Sequence, residues 1–137
     1  MGKGVEYVNP PGARKVAGLY SHVAITEGGR LAHIAGQVAS DDSGNPVAPG
    51  DVARQVPAVY DAIGAILKGL GVGFSDVASY TTYVVGTENR DAWMKARSAV
   101  YERIYPDKKY PPNTLLYISG LVRPEYVVEV SAVVRLP

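Results

Sequence analysis

The stretch Tyr110-Pro111-Pro112-Asn113-Thr114-Leu115-Leu116, taken with Val127-Val128-Glu129-Val130, decides how this chain folds. Proline has no N–H to donate and is confined to the start or the edge of a strand. Two in a row therefore open a strand, read as Thr114 to Gly120. The valine run then marks a final strand, Tyr126 to Leu136, because β-branched side chains fit a pleated surface. One acid interrupts that run. A lone carboxylate among Val127, Val128, Val130 and Val133 is costly to bury. Glu129 is thus either a surface residue on an edge or a working acid/base.

Working back toward the N-terminus, Asp76 to Val85 alternates and is rich in Val, Thr and Tyr, which predicts a strand. Asn89 is expected to cap a helix through Arg103, with Trp93, Ala96, Val100 and Ile104 as its buried stripe. Asp51 is expected to cap an earlier helix, from Val52 to about Leu70. Val52, Val56, Val59, Ile63, Ile66, Leu67 and Leu70 recur there at helical spacing. Gly69, Gly71 and Gly73 stop that helix; they follow it, so they are not a phosphate cradle. Pro57 lies inside it and either kinks it or pushes its start later.

Leu19–Ile25 and Leu31–Val38 flank Glu27-Gly28-Gly29-Arg30, a hairpin signal. With Gly28 and Gly29 as the turn, Ala24 faces His33, His22 faces Ala35 and Tyr20 faces Gln37. One face would carry Tyr20, His22, His33 and Gln37. The other, with Leu19, Val23, Ile25, Ile34 and Val38, would be core. Val5–Val8 reads as a short edge strand within an N-terminal extension, residues 1–18. The order is ββαβαββ, an α+β pattern, expected to form one domain over residues 1–137.

Two helices cover only one face of such a sheet. The final strand is apolar on both faces, with Val128, Val130, Ala132 and Val134 on one and Val127 and Val133 on the other. An uncovered apolar face predicts self-association, most economically as a closed ring.

The bulk properties agree with a folded protein. At 137 residues and 47% apolar content, the chain can bury one real core. Its net charge of +1 argues against a strongly electrostatic partner such as nucleic acid or an anionic membrane. It has no cysteine, which excludes disulfides, thiol nucleophiles and cysteine metal sites. No apolar run has transmembrane length and the first residues lack a signal-peptide core, so the cytoplasm is the expected location. No metal-ligand spacing appears and no cofactor is expected.

Gly18-Leu19-Tyr20-Ser21, Ala35-Gly36-Gln37, the Pro-Pro-Asn-Thr strand and Glu129 together resemble the RidA/YjgF family, over about Gly18 to Val134. That resemblance implies a chorismate-mutase-like fold, a homotrimer with sites between subunits, and a small-molecule ligand. The family's deaminases hydrolyse an enamine or imine of a small 2-amino acid to the 2-keto acid and ammonia. Carried across, Tyr20 and Glu129 would be catalytic. Gly36 and the carbonyl of Leu115 would bind ligand or water, alongside Ala35, Asn113 and Thr114.

Three positions depart. Asn113 stands where the deaminases have arginine, Ala35 where they have serine, and Ser98 where asparagine is usual. Arginine grips a carboxylate by two charge-assisted bonds. Asn113 offers one neutral donor group, a difference of roughly 2–4 kcal/mol in a buried site. Either another cation enters (Arg14, Arg97 and Arg123 are the candidates), or the ligand is neutral or differently charged.

The leading expectation is an enamine/imine deaminase or related hydrolase of altered specificity. The alternatives are a non-catalytic small-molecule-binding trimer and, more weakly, an endoribonuclease or translation inhibitor. The last would rest on His22 and His33, and no basic patch accompanies them.

Overall fold

The computed structural model describes residues 4–137; the first three residues of the expected extension lie outside it. The elements are β1 (Val5–Val8), β2 (Val23–Thr26), β3 (Arg30–Gln37), α1 (Val52–Gly69), β4 (Val77–Val85), α2 (Arg90–Ile104), β5 (Asn113–Ile118) and β6 (Val128–Leu136). One mixed sheet has the order β3-β6-β4-β5, with β4 and β5 parallel. Parallel strands need a crossover, and α2 provides it. The fold is α+β with two helices on one sheet face. No helix among the described residues is long and apolar enough to cross a membrane.

The core lies between that face and the helices. Val56, Val59, Ile63 and Leu67 of α1 meet Trp93, Val100 and Tyr101 of α2, over Val84, Val128, Val130 and Val134. An aromatic layer runs through it: Tyr60 meets Tyr80 and Tyr101 edge-on at 5.8 and 5.9 Å, and Tyr101 stacks on Tyr110 at 5.6 Å. Such pairs add to the burial term.

Asp51 caps α1 as expected, accepting from the Arg54 N–H at 3.2 Å. The helix runs from Val52 straight through Pro57. The carbonyl that loses its partner there belongs to Ala53, which is exposed, so water can satisfy it. Asn89 stands at the N-cap of α2 but does not cap it. Its side-chain amide donates backward to the Val85 carbonyl at 2.8 Å.

Periodicity also missed a buried polar clamp. Gln55 is fully buried, donates to the carbonyls of Ala48 and Glu125 at 3.0 and 2.8 Å, and accepts from Val127 N–H at 3.0 Å. It pins the segment that launches β6.

The expected hairpin register is corrected. Gly28 and Gly29 do form a left-handed turn, with φ of 61° and 71°. The strands it joins, however, take other partners. β2 pairs with β1, Val5 opposite Thr26 and Val8 opposite Val23, while β3 pairs with β6, Ile34 opposite Ala132. The end of β6 wraps the turn: Arg135 Nε donates to the Glu27 carbonyl at 3.0 Å, and a side chain at Gly29 would collide with the Leu136 carbonyl. Of the expected core face, Ile34 is buried, but Ile25 is 49% exposed.

The uncovered face is also corrected. Val127 precedes β6 and is buried, so the second face of that strand carries Glu129, Ser131 and Val133. Register arranges this face in rows across the strands: His33, Val133, Ser79; then Ser131, Thr81, Thr114; then Glu129, Tyr83, Leu116. It is a mixed surface of hydroxyls and aliphatics, in place of the apolar one expected. Leu31 and Leu116 are exposed on the edge strands.

Candidate functional site

Two groupings of the expected residues form, in different parts of the open face. The first lies at the start of β5. Tyr20, Ser21 and His22, on the segment before β2, close over Ser79, Tyr80 and Thr81 of β4 and Pro112, Asn113 and Thr114 of β5. They enclose a cavity of about 270 Å³. Tyr20 meets His22 edge-on, ring centroids 5.5 Å apart. The Asn113 amide oxygen accepts from the buried hydroxyl of Thr82 at 2.7 Å. That bond fixes the amide and leaves its –NH2 as the donor still to be satisfied.

The second grouping is Glu129 with Gly36. β3 carries a bulge between Ile34 and Gln37, where it has one more residue than β6 opposite. Ala35 and Gly36 fall in it, both exposed. A Cβ on Gly36 would collide with the Glu129 carboxyl. Glycine there permits close approach of the acid to the bulged backbone. Tyr83 is the cross-strand neighbour of Glu129.

Leu115 joins neither group through its side chain, which packs against the core. Ser98 donates to the Met94 carbonyl one turn back along α2, at 2.7 Å.

The three candidate cations separate. Arg97 is buried, its guanidinium 5.9 Å from the Trp93 ring and 5.1 Å from that of Tyr101. It lies on the helix side of the molecule. Arg123 pairs with Glu125 at 2.7 Å. Arg14 comes close only through its main chain, whose carbonyl lies 2.6 Å from His22 Nε2. Among the described residues, no lysine or arginine lines the Tyr20–Asn113 cavity.

His22 and His33 do not share a strand pair. His33 lines a second cavity of about 240 Å³, with Ser131 and Val133, and the two cavities meet at Ser79 and Thr81. Sequence reasoning missed Ser79, Thr81 and Tyr83. Their alternation with Tyr80, Thr82 and Val84 was visible, but which set faced outward depended on the register.

A larger cavity of about 750 Å³ lies elsewhere, between Val5 and Tyr7 of β1 and Ile104–Asp107 after α2. It contains none of the candidate site residues. The candidate site is the smaller cavity, where Tyr20, Asn113 and Thr114 converge.

Burial pushes the phenols of Tyr60, Tyr80 and Tyr105 well up from their ordinary value. It raises Tyr101 to about 12, against the opposing pull of Tyr60 and Arg97. These are core groups, neutral at any working pH.

Comparisons with known proteins match the chain over nearly its whole length. The chain is 25% identical over 130 residues to the RutC family protein YjgH of Escherichia coli K12, covering 95% of this chain and 94% of that one. The Rid family protein YyfB of Yersinia pestis superposes with a TM-score of 0.85 at 27% identity, over 98% of this chain and all of that one. A YjgF/YER057c/UK114 family member from Mycobacterium tuberculosis shares the fold, with a TM-score of 0.62 at 20% identity, over 96% and 99% of the two chains. The model of the endoribonuclease L-PSP family matches residues 12–136. With that match spanning both groupings of the open face, the chain belongs to the endoribonuclease L-PSP, or RidA/YjgF, family.

Proposed function

We propose that the protein is a hydrolase of the enamine/imine deaminase type whose ligand is a small neutral molecule. One observation carries the reading: the cavity that gathers Tyr20, Asn113 and Thr114 has hydroxyl, amide and imidazole groups and, among the described residues, no lysine or arginine. A carboxylate placed there would lose its hydration without an ionic partner. A neutral amide, imine or enamine finds donors and acceptors of its own kind.

In this reading Asn113 and Thr114 hold the ligand and Tyr20 covers it. Glu129 takes a proton from water as the water oxygen adds to the imine carbon and passes it to the nitrogen; the carbinolamine hydroxyl proton then follows to the nitrogen as C=O forms, the C–N bond breaks, and ammonia leaves. The Gly36 N–H and the Leu115 carbonyl complete the pocket.

On one chain the two groupings are separate. Thr114 and Glu129 lie two strands and one two-residue step apart, about 12 Å by standard sheet dimensions. A second copy laid on the open face would bring the Glu129 group of one subunit to the Asn113 group of the next. We therefore assign the protein a homotrimer with sites between subunits. The exposed Leu31 and Leu116 support that burial. Light scattering at micromolar concentration checks it, and a monomer overturns it.

The deciding assay generates 2-aminoacrylate in situ from serine with a dehydratase and follows its decay beside that of the neutral 2-aminoacrylamide. Acceleration is expected for the amide and little for the acid. Glu129→Gln should abolish turnover of the amide and leave its binding largely intact. Equal processing by that variant overturns the role of Glu129, and fast decay of the acid overturns the neutral-ligand reading. Saturable binding with no product would assign a binding trimer instead. Cleavage of RNA has no such support, since neither histidine-lined cavity includes a cation to hold a phosphate.

A further inference from the structure

We propose that His22 is the proton-transfer group of the Tyr20–Asn113 cavity, exchanging a proton with the ligand at Nδ1; this rests on reading that cavity as the ligand site. The argument starts from the other ring nitrogen. Nε2 lies 2.6 Å from the main-chain carbonyl of Arg14. A carbonyl only accepts, so the hydrogen sits on Nε2. In the neutral ring Nδ1 is then a bare lone pair.

The ring is held from three directions. Its Nε2–H is tied to Arg14, and its main-chain N–H donates to Asn9 Oδ1 at 2.7 Å. It meets the Tyr20 ring in a T-shaped contact, at an interplanar angle of 89°. A base whose far nitrogen is anchored by an acceptor is the arrangement that catalytic histidines use. The rest of the cavity supplies the company such a base needs: a fixed amide at Asn113 and the hydroxyls of Ser79, Thr81 and Thr114.

The chemistry that follows is a 1,3-proton shift. A neutral enamine held by Asn113 gives its N–H proton to Nδ1. The nitrogen electron pair forms C=N, and the former C=C pair takes the proton back as a C–H bond. No atom or electron is gained or lost. The product is the imine that water attacks, so His22 and Glu129 act in sequence, one on the ligand and one on water.

The chain has only two histidines, so ¹⁵N-histidine labelling with His33→Gln for assignment isolates the His22 ring. Long-range proton–nitrogen spectra should show Nε2 protonated and Nδ1 bare. Titration with propionamide, a neutral amide probe, should move Nδ1 saturably, and Asn113→Ala should weaken that titration about tenfold. A proton resident on Nδ1 overturns the proposal. So does propionamide that shifts the Asn113 amide and leaves His22 untouched, which spares the ligand site. If neither residue responds, the cavity is not the ligand site and both readings fall. His22→Gln retains a donor for the Arg14 carbonyl. It should keep propionamide affinity and lower enamine turnover about 10²-fold; unchanged turnover overturns the proposal.

Discussion

The carboxyl group of Glu129 occupies the space in which a side chain at Gly36 would begin. The backbone of Gly36 is not left-handed, so alanine suits its conformation, and its nearest collisions are all with the acid. Gly36→Ala is therefore expected to displace the carboxyl with little cost to the fold. A misplaced catalytic group of this kind loses on the order of 10²-fold in turnover. Added to Glu129→Gln, the alanine should cause no further loss, because both changes act on one group. Single-turnover kinetics of the three variants check this, with thermal melts to show that the fold is intact.

Asn113→Arg tests the specificity argument from the opposite side. A guanidinium at residue 113 should raise affinity for a carboxylated ligand by one to three decades, following the roughly 2–4 kcal/mol assigned to the exchange. The change has a cost. Thr82 is buried and donates to Asn113, and an arginine offers no acceptor. An orphaned hydroxyl costs about 1–3 kcal/mol. Calorimetric titration with pyruvate and urea unfolding should report both effects in the same variant.

Gln55 should be among the most sensitive positions outside the site. Gln55→Leu keeps the volume, orphans the buried Val127 N–H, and leaves the Ala48 and Glu125 carbonyls with only the N–H groups of Asp51 and Gly50. The loss should be about 1–3 kcal/mol, the cost of one orphaned buried group. Hydrogen exchange should quicken first at Val127, where the clamp meets β6.

Alkaline pH should unfold the protein in a defined window. The folded state holds the phenol protons of Tyr60, Tyr80, Tyr101 and Tyr105 more tightly than the unfolded chain does, because burial opposes the charged form. Unfolded tyrosines ionise near 10.0, and Tyr101 follows in the folded state only near 12. Stability contributed by these groups is thus complete below pH 10. It falls as pH rises beyond, by about 1.4 kcal/mol per pH unit for each phenol. Urea midpoints from pH 8 to 12 measure the slope, and Tyr60→Phe should reduce it.

What the sequence revealed of this fold follows from where local signals suffice. Asp51, the stripe from Val52 to Leu67 and the valines of β6 each act through near neighbours, and the elements they predict are present. The pairing of β2 was not legible. Gly28-Gly29 specifies a turn, but which strand lies beside Val23–Thr26 depends on β1 and on the reach of Arg135, both distant in sequence. The same limit governs the site. Glu129, Gly36, Tyr20 and Asn113 could each be named, yet their division into two groups is a property of register. His22 was visible too, but only the Arg14 carbonyl shows which of its nitrogens is bare.

The two prolines ahead of β5 have a consequence for solubility. β5 is the outermost strand of its sheet, with β4 on one side only, and a bare edge invites pairing with a stranger's strand. The Pro112 carbonyl still accepts from Tyr80 N–H at 2.9 Å on the inner side, so the sheet loses nothing there. On the outer side neither Pro111 nor Pro112 has an N–H to offer an incoming chain. Any invading strand is held to the six residues Asn113–Ile118. Replacing the pair with valines would lengthen that edge and remove the guard, turning a bounded strand into a template for fibres.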